Sequence, residues 1–414
     1  MKLKELKNKK MLILGFGREG KDNFLFLRKL FPKKKIGIAD KQNLTRLSFK
    51  NIKLHLGEKY LNSIKDYDTV IKSPGIPFKL IPKSYLKKII TQTDLFLENC
   101  PGLIIGVTGT KGKSTTSSLI YEILKAGNKK VQLIGNIGEP VLNHLIKATK
   151  KDIFVYELSS HQLYNLRKSP NVAVFLNIFP EHLDYYRSFK EYAKAKANIT
   201  LYQKKEDYLI FNKKDKLVSS FAKKSKAKKI PVTGTYYELN KAAAEKVGEI
   251  FKISPKLIQK AINNFKGLEH RMELVGTFKG ITFYNDSLAT IPEATIFAIK
   301  SLATKVETIM LGGFNRNISF KSLAKEILKS RIKTAILFLV TGKKIWKEIS
   351  ILDKKKKINH FFVKNMKEAV KLSFKHTDKG KVCLLSTASP SFGLFKDYKE
   401  RGDLFKKYVK RLAR

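Results

Sequence analysis

Short apolar runs of strand length alternate along this chain with stretches whose apolar residues recur at helical spacing. Met11-Leu-Ile-Leu14 is the first run; it ends in Gly15-Phe-Gly17-Arg-Glu-Gly20, and an amphipathic segment follows to Leu30. Ile36-Gly-Ile-Ala39 then precedes Asp40. Two runs joined through a helical segment read as a βαβ unit, which implies parallel strands. Thr69-Val-Ile71 reads as a further strand entering Lys72-Ser-Pro-Gly-Ile-Pro77, where Pro74-Gly75 supplies a tight turn.

The pattern starts afresh near Cys100. Leu103-Ile-Ile-Gly-Val107 is a buried-strand run, followed by a glycine-rich loop and a helical pattern from Lys113 to about Ala126. Ile153 to Tyr156, Val172 to Asn177 and Tyr208 to Phe211 read as strands, and Tyr192 to Ile199 as helix. A third block begins near Ala303, with strands at Thr308 to Leu311, Thr334 to Val340 and Val382 to Leu385. The expected fold class is therefore α/β in three domains. These are a Rossmann-like N-terminal domain (1–96), a central P-loop domain on a parallel sheet (97–302) and a Rossmann-like C-terminal domain (303–414).

Length and composition agree with several buried cores: 414 residues exceed one ordinary domain, and 43% are hydrophobic. Cys100 and Cys383 are too few and too far apart for a disulfide framework or a metal motif, which suits a reducing cytosol. The first ten residues, rich in Lys and Glu, are followed by no apolar leader, and no run is long enough to span a bilayer. A cytoplasmic, monomeric protein without membrane insertion is expected. The net charge of +49 changes this picture little. It is spread over the whole chain, in runs such as Lys33-Lys34-Lys35 and Lys354 to Lys357, without aromatic platforms of the RNA-binding kind. A lysine-coated surface accounts for it without a nucleic-acid partner, though it favours anionic substrates by steering.

The strongest chemical signal is Thr108-Gly109-Thr110-Lys111-Gly112-Lys113-Ser114-Thr115 between a strand and a helix. Glycines there let backbone N–H groups approach phosphate oxygens, Lys113 adds a point charge, and Ser114 offers a hydroxyl to Mg²⁺. Glu157 follows a strand, where an open α/β sheet binds ligands, and a carboxylate there can complete a Mg²⁺ shell. Further on stand Asn177-Ile-Phe-Pro-Glu-His182-Leu-Asp184 and a helix carrying Lys194 and Lys196. Read alone, that spacing equally suits a capped helix with surface lysines.

Taken in order, Thr-Gly-Thr-Lys-Gly-Lys-Ser-Thr, Glu-Leu-Ser-Ser-x-Gln-Leu, Asn-x-x-Pro-Glu-His-Leu-Asp and Tyr-x-x-x-Lys resemble the motifs of the Mur ligases. Gly135-Asn-Ile-Gly138, Gly267-Leu-Glu-His-Arg271, Asn285-Asp-Ser287, Leu311-Gly-Gly313 and Phe395-Lys-x-Tyr-x-x-Arg-Gly402 extend the resemblance over the chain. The similarity is greatest to the branch that joins D-glutamate to UDP-N-acetylmuramoyl-L-alanine. It implies ATP-dependent amide formation through an acyl-phosphate, with ATP and two Mg²⁺ ions, at a site assembled where the domains meet. It implies ATP contacts by Gly109, Thr110, Lys111, Gly112, Lys113, Ser114, Thr115, Asn285 and Arg316. Metal ligation falls to Ser114, Glu157, His182 and Lys196, the last as a carbamate, with Lys113, His182 and Lys196 in the catalytic roles. UDP-substrate contacts fall to Gly15, Gly17, Gly20, Asp40, Ser73, Gly75 and Asn136, and amino-acid contacts to Ser391, Phe392 and Tyr398.

Two segments depart from that pattern. Leu288 and Ile291 stand where the family usually has Lys and Asn, and Gly393-Leu394 replace Asp-Gln before Phe395. They leave the reaction type but open the choice of amino acid, so an L-glutamate-adding variant or a folylpolyglutamate synthase-type ligase is an alternative. Gly15-x-Gly17-x-x-Gly20 with Asp40 also fits an NAD-dependent dehydrogenase, and the charge fits a simple anion-binding protein.

Overall fold

The structure, a computed structural model, describes residues 1–44, 49–135, 141–181, 185–234, 236–315, 318–338 and 340–413. It divides into two compact units, Met1–Phe265 and Lys266–Arg414.

The first unit holds two parallel sheets. Strands β1 (Met11–Leu14), β2 (Ile36–Asp40), β3 (Ile52–Leu56), β4 (Thr69–Lys72) and β5 (Ile89–Thr91) pair in the order β3-β2-β1-β4-β5. The chain winds outward from β1 to one side and then restarts on the other, so the reversal lies between β1 and β4. Loops leaving the carboxyl ends of two such strands diverge and open a crevice. Leu14 pairs with Lys72, so Gly15 and Ser73 leave the sheet side by side. The second sheet follows the same logic with β6 (Leu103–Thr108), β7 (Val131–Gly135), β8 (Ile153–Glu157), β9 (Val172–Phe175), β10 (Tyr208–Asn212) and β11 (Lys228–Val232), ordered β11-β10-β9-β6-β8-β7. Its reversal is between β6 and β9, at the glycine-rich loop. The inner strands are buried on both faces, which is why they read as unbroken apolar runs. One apolar cluster joins residues of both sheets, from Leu6 and Phe24 through Phe96 to Phe154 and Tyr156. The two sheets therefore share a core and form one unit.

The second unit carries a six-stranded sheet of β12 (Glu273–Phe278), β13 (Ile281–Asn285), β14 (Val306–Leu311), β15 (Thr334–Phe338), β16 (Asn359–Val363) and β17 (Val382–Leu385), ordered β12-β13-β17-β14-β15-β16. β12 and β13 form an antiparallel hairpin, and β13 then pairs in parallel with β17. Residues 273–285 thus belong to this sheet, and the compact unit that contains it starts at Lys266.

The helix Tyr398–Ala413 is pinned to this unit by a buried arginine. Arg401 is fully buried, with Nε donating to Ser287 Oγ (2.9 Å), Nη1 to the Ser389 carbonyl (3.1 Å) and Nη2 to the Ser287 carbonyl (2.7 Å). Burial pulls its guanidinium down to about 9, against the opposing pull of Asp286, so it remains charged at neutral pH. Arg401→Ala removes three donated hydrogen bonds from the interior and leaves the space of the guanidinium empty. It is expected to destabilise the second unit by about 3 kcal/mol, read as a lower urea midpoint with unchanged m.

Candidate active site

The first crevice is built from backbone. Asp40, at the end of β2, accepts from Phe16 N (2.7 Å) and Gln42 N (2.8 Å), so its carboxylate shapes the loop after β1. Gly20 allows the helix Arg18–Leu30 to close on that loop, since a Cβ there would sit 2.1 Å from the Gly15 carbonyl oxygen. Ser73 Oγ donates to the same carbonyl at 2.8 Å. On the facing wall, Ser159 and Gln162 cap each other at the start of a short helix, Ser160–Leu163. Between these elements lies a cavity of about 530 Å³, lined by Gly15, Gly17, Asp40, Ser73, Gly75 and Lys113, together with Arg18, Glu19, Ser159, His161 and Gln162. Six residues expected from sequence to serve two different substrates thus face one space: the end of the first sheet opens onto the lysine of the glycine-rich loop.

That loop is held from several sides. Gly112 has φ +88° and hands the chain to the helix Lys113–Ala126, whose first N–H groups and dipole favour an anion. Lys113 Nζ folds back to the carbonyls of Gly109 (3.0 Å) and Thr110 (3.1 Å). Asn177, just beyond β9, clamps Lys111 through both backbone groups at 2.9 and 3.1 Å, and Thr110 Oγ1 meets Tyr192 Oη at 2.9 Å. Lys111 Nζ pairs with Glu181 at 2.5 Å. Ser114 and Glu157 are both buried. Lys196, 2% exposed, leaves the helix Phe189–Leu201 and donates to the Gly109 carbonyl at 2.8 Å. Burial, followed by the repulsion of Lys113, holds its ammonium well below the usual lysine range. A neutral amine beside a phosphate loop is the form that reacts with CO₂.

In the second unit Asn285 is buried at the end of β13, with Nδ2 donating to Glu273 at 2.8 Å and Oδ1 accepting from Ser287 N at 3.2 Å. Ser391 lies buried in the loop after β17, and Phe392 meets Phe314, from the loop after β14, edge to face at 6.3 Å. Tyr398 opens the last helix, its carbonyl accepting from Ser287 Oγ at 2.7 Å. His182, Asn136 and Arg316 lie outside the described residues.

The chain is 33% identical to a UDP-N-acetylmuramoylalanine--D-glutamate ligase of Acetivibrio thermocellus, with 98% of this chain and 97% of that protein covered. It belongs to the Mur ligase family. The family's middle-domain model matches residues 107–285 and its glutamate-ligase-domain model residues 270–388. A protein of the same name from Koribacter versatilis is 31% identical, with 99% of both chains covered. Among solved structures, MurF ligase of Thermotoga maritima in complex with ADP superposes with a TM-score of 0.60 at 16% identity, covering 99% of this chain and 97% of that one. A pseudomurein peptide ligase type C of Methanothermus fervidus gives 0.57 at 18%, covering 98% and 100%. These two share the fold. As a Mur ligase, the chain is an ATP-dependent amide ligase of peptidoglycan precursor synthesis.

Several residues that build this Mur ligase site were not singled out from sequence. Glu19 lies inside the glycine motif and Lys72 ends an apolar strand, and neither was given a role. Asn177 and Tyr192 carried no assigned role, although each fell within a quoted motif. Their part is to hold the loop's shape, which only the fold reveals.

Proposed function

We propose that this Mur ligase joins D-glutamate to UDP-N-acetylmuramoyl-L-alanine, working as a monomer in the cytoplasm. The terminal phosphate of ATP passes to the alanyl carboxylate, and the amine of glutamate attacks the acyl-phosphate and expels inorganic phosphate. The observation that carries this reading is the single cavity that runs from the Gly15–Asp40–Ser73 crevice to Lys113. A uridine diphosphate held at the first sheet would point its carboxylate end toward the phosphate loop. The names of the full-length relatives supply the amino acid.

Lys113 would neutralise the transferring phosphoryl group, and the loop amides would orient it, so catalysis rests on positioning and charge. The buried oxygens of Ser114 and Glu157, with Lys196 as a carbamate and His182, suit a hard cation; Mg²⁺ bound there would neutralise the phosphates during transfer. The reaction of Lys196 Nζ with CO₂ gives a carbamate and one proton, replacing a buried amine by an anion. Asp40 would support the uridine end chiefly by fixing the loop, because both its oxygens already accept backbone N–H bonds.

The test offers UDP-N-acetylmuramoyl-L-alanine and Mg-ATP with D-glutamate, L-glutamate or neither, following ADP and product mass. Product gaining one glutamate with the D isomer is expected. Equal or greater yield with the L isomer overturns the amino-acid assignment, and ADP release without any adduct overturns the acceptor.

A further inference from the structure

The cavity has two walls, and they come from different sheets. Ser73 to Ile76, leaving β4, form one; Ser159, His161 and Gln162, from the turn that follows β8, form the other. Lys72, buried at the end of β4, donates from Nζ to the carbonyls of Ser73 (2.9 Å) and Ile76 (2.8 Å), which holds the first wall in shape. The second wall leads on to the phosphate loop through packed rings. His161 stacks on Tyr186 with centres 5.7 Å apart, Tyr186 meets Tyr192 edge to face at 5.4 Å, and Tyr192 Oη bonds Thr110. A substrate lying along the cavity touches both walls, so the offset between them decides whether its far end meets Lys113.

The contacts that cross from one wall to the other differ in kind. Phe78, just beyond the first wall, stacks on Tyr164 at 4.7 Å. Stacked rings resist separation but tolerate an offset in their plane. Glu19 accepts from Gln162 Nε2 at 3.0 Å, which ties the second wall to the helix Arg18–Leu30 and not to the Ser73–Ile76 loop. Tyr185 supplies a tie with direction. Its Oη donates to the carbonyls of Pro74 (2.9 Å) and Ile76 (3.1 Å), one proton shared between them, while its ring stands edge-on to His161 with centres 4.1 Å apart. Burial raises its phenol above the usual tyrosine value, so the hydroxyl stays a donor at neutral pH.

We propose that Tyr185 is a positioning residue: it fixes the register of the Ser73–Ile76 wall against the His161 wall, and so aligns the carboxylate end of the first substrate with the phosphate loop. The inference rests on the reading of the cavity as the UDP-substrate site. Tyr185 acts through the walls it holds, and this dictates what its loss does. Without the hydroxyl each wall keeps its own shape, because Lys72 still bonds the Ile76 carbonyl and the rings behind His161 remain. Only the relative placement is lost, and a displacement of about 1 Å between reacting groups costs far more in rate than in affinity. A residue that merely supported one wall would weaken binding and leave turnover of the bound substrate unchanged.

The experiment is single-turnover ADP formation by the full chain with UDP-N-acetylmuramoyl-L-alanine, Mg-ATP and D-glutamate, with steady-state KM values measured alongside. Tyr185→Phe keeps the ring on His161 and removes the two hydrogen bonds. It is expected to lower the single-turnover rate about tenfold, with KM for the UDP-substrate and for ATP within about twofold of wild type and an unchanged thermal melt. Tyr164→Phe is the control: its hydroxyl, in the same ring cluster, bonds Glu191 and not the loop, and an unchanged rate is expected. Replacing Tyr185 with 4-aminophenylalanine restores a donor at the same place, and should recover the rate to within about threefold. An unchanged rate in Tyr185→Phe, a rise in KM alone, an equal loss in Tyr164→Phe, or no recovery with the amino analogue overturns the inference and leaves the substrate assignment standing. Wild-type protein that forms no ADP with this substrate overturns the substrate assignment, and the inference with it.

Discussion

Lys113→Met is expected to lower ADP formation by about 10³-fold while leaving the first unit folded. The side chain reaches back over the loop to the carbonyls of Gly109 and Thr110, so it lies where a terminal phosphate would enter, and it borders the cavity proposed for the substrate as well. Phosphoryl transfer needs little covalent chemistry from the protein, and its barrier falls mainly through neutralisation of charge on the moving group. Methionine preserves the aliphatic bulk and removes that charge. The loop's shape should survive, because Asn177 and Tyr192 clamp it independently of Lys113 Nζ. Steady-state kinetics with a parallel thermal melt checks this: an unchanged melt with kcat reduced to about a thousandth is expected, and retention of a tenth of wild-type activity would contradict the assigned role.

Lys196→Ala should be nearly as damaging, at about 10²-fold or more in kcat, but with a different signature. The ammonium is pushed down by burial and by Lys113, while the field of Glu181 and Glu157 opposes. At neutral pH the amine can therefore lose its proton and combine with CO₂. As pH falls through this lowered pKa the amine is protonated and the carbamate is lost, so wild-type activity should drop on the acid side. Two readouts separate this from packing damage. Wild-type activity should fall in CO₂-depleted buffer and recover with bicarbonate, and small carboxylic acids should partly restore Lys196→Ala. A Lys196→Ala protein of full activity, indifferent to bicarbonate, would remove the carbamate from the account.

The sequence made the centres of the sheets legible and left their margins hidden. β1, β4, β6, β8, β9, β14 and β17 are buried on both faces, so their side chains are almost all apolar and the run itself marks the strand. Edge strands meet water and are written differently. β3 carries Lys53 and His55, β11 begins with two lysines and contains Pro231, and β16 opens on Asn359 and His360. None of these forms an apolar run. The β12–β13 hairpin was missed for a related reason: only one face of β13 is buried, and its link to β17 spans about a hundred residues of chain.

The candidate site divides along the same line. A phosphate loop is read from consecutive residues because its chemistry resides in local backbone, and Gly109 to Ser114 could be named at once. Lys72 and Glu19 owe their environment to β1, β4 and the Ser159–Gln162 turn, which lie far apart in sequence. Arg401 is similar: in a run of charged residues near the C-terminus it looks solvent-facing, yet the fold buries it completely. Whether a charged residue is buried depends on contacts distant in sequence, which one-dimensional patterns do not record.

The central claim is that the substrate carboxylate takes the terminal phosphate of ATP before the amide forms. The most direct test labels the alanyl carboxylate of UDP-N-acetylmuramoyl-L-alanine with ¹⁸O and runs the complete reaction with D-glutamate. One labelled oxygen per turnover is expected in the released inorganic phosphate. Unlabelled phosphate, with amide product still formed, would contradict an acyl-phosphate and with it the mechanism drawn from this cavity.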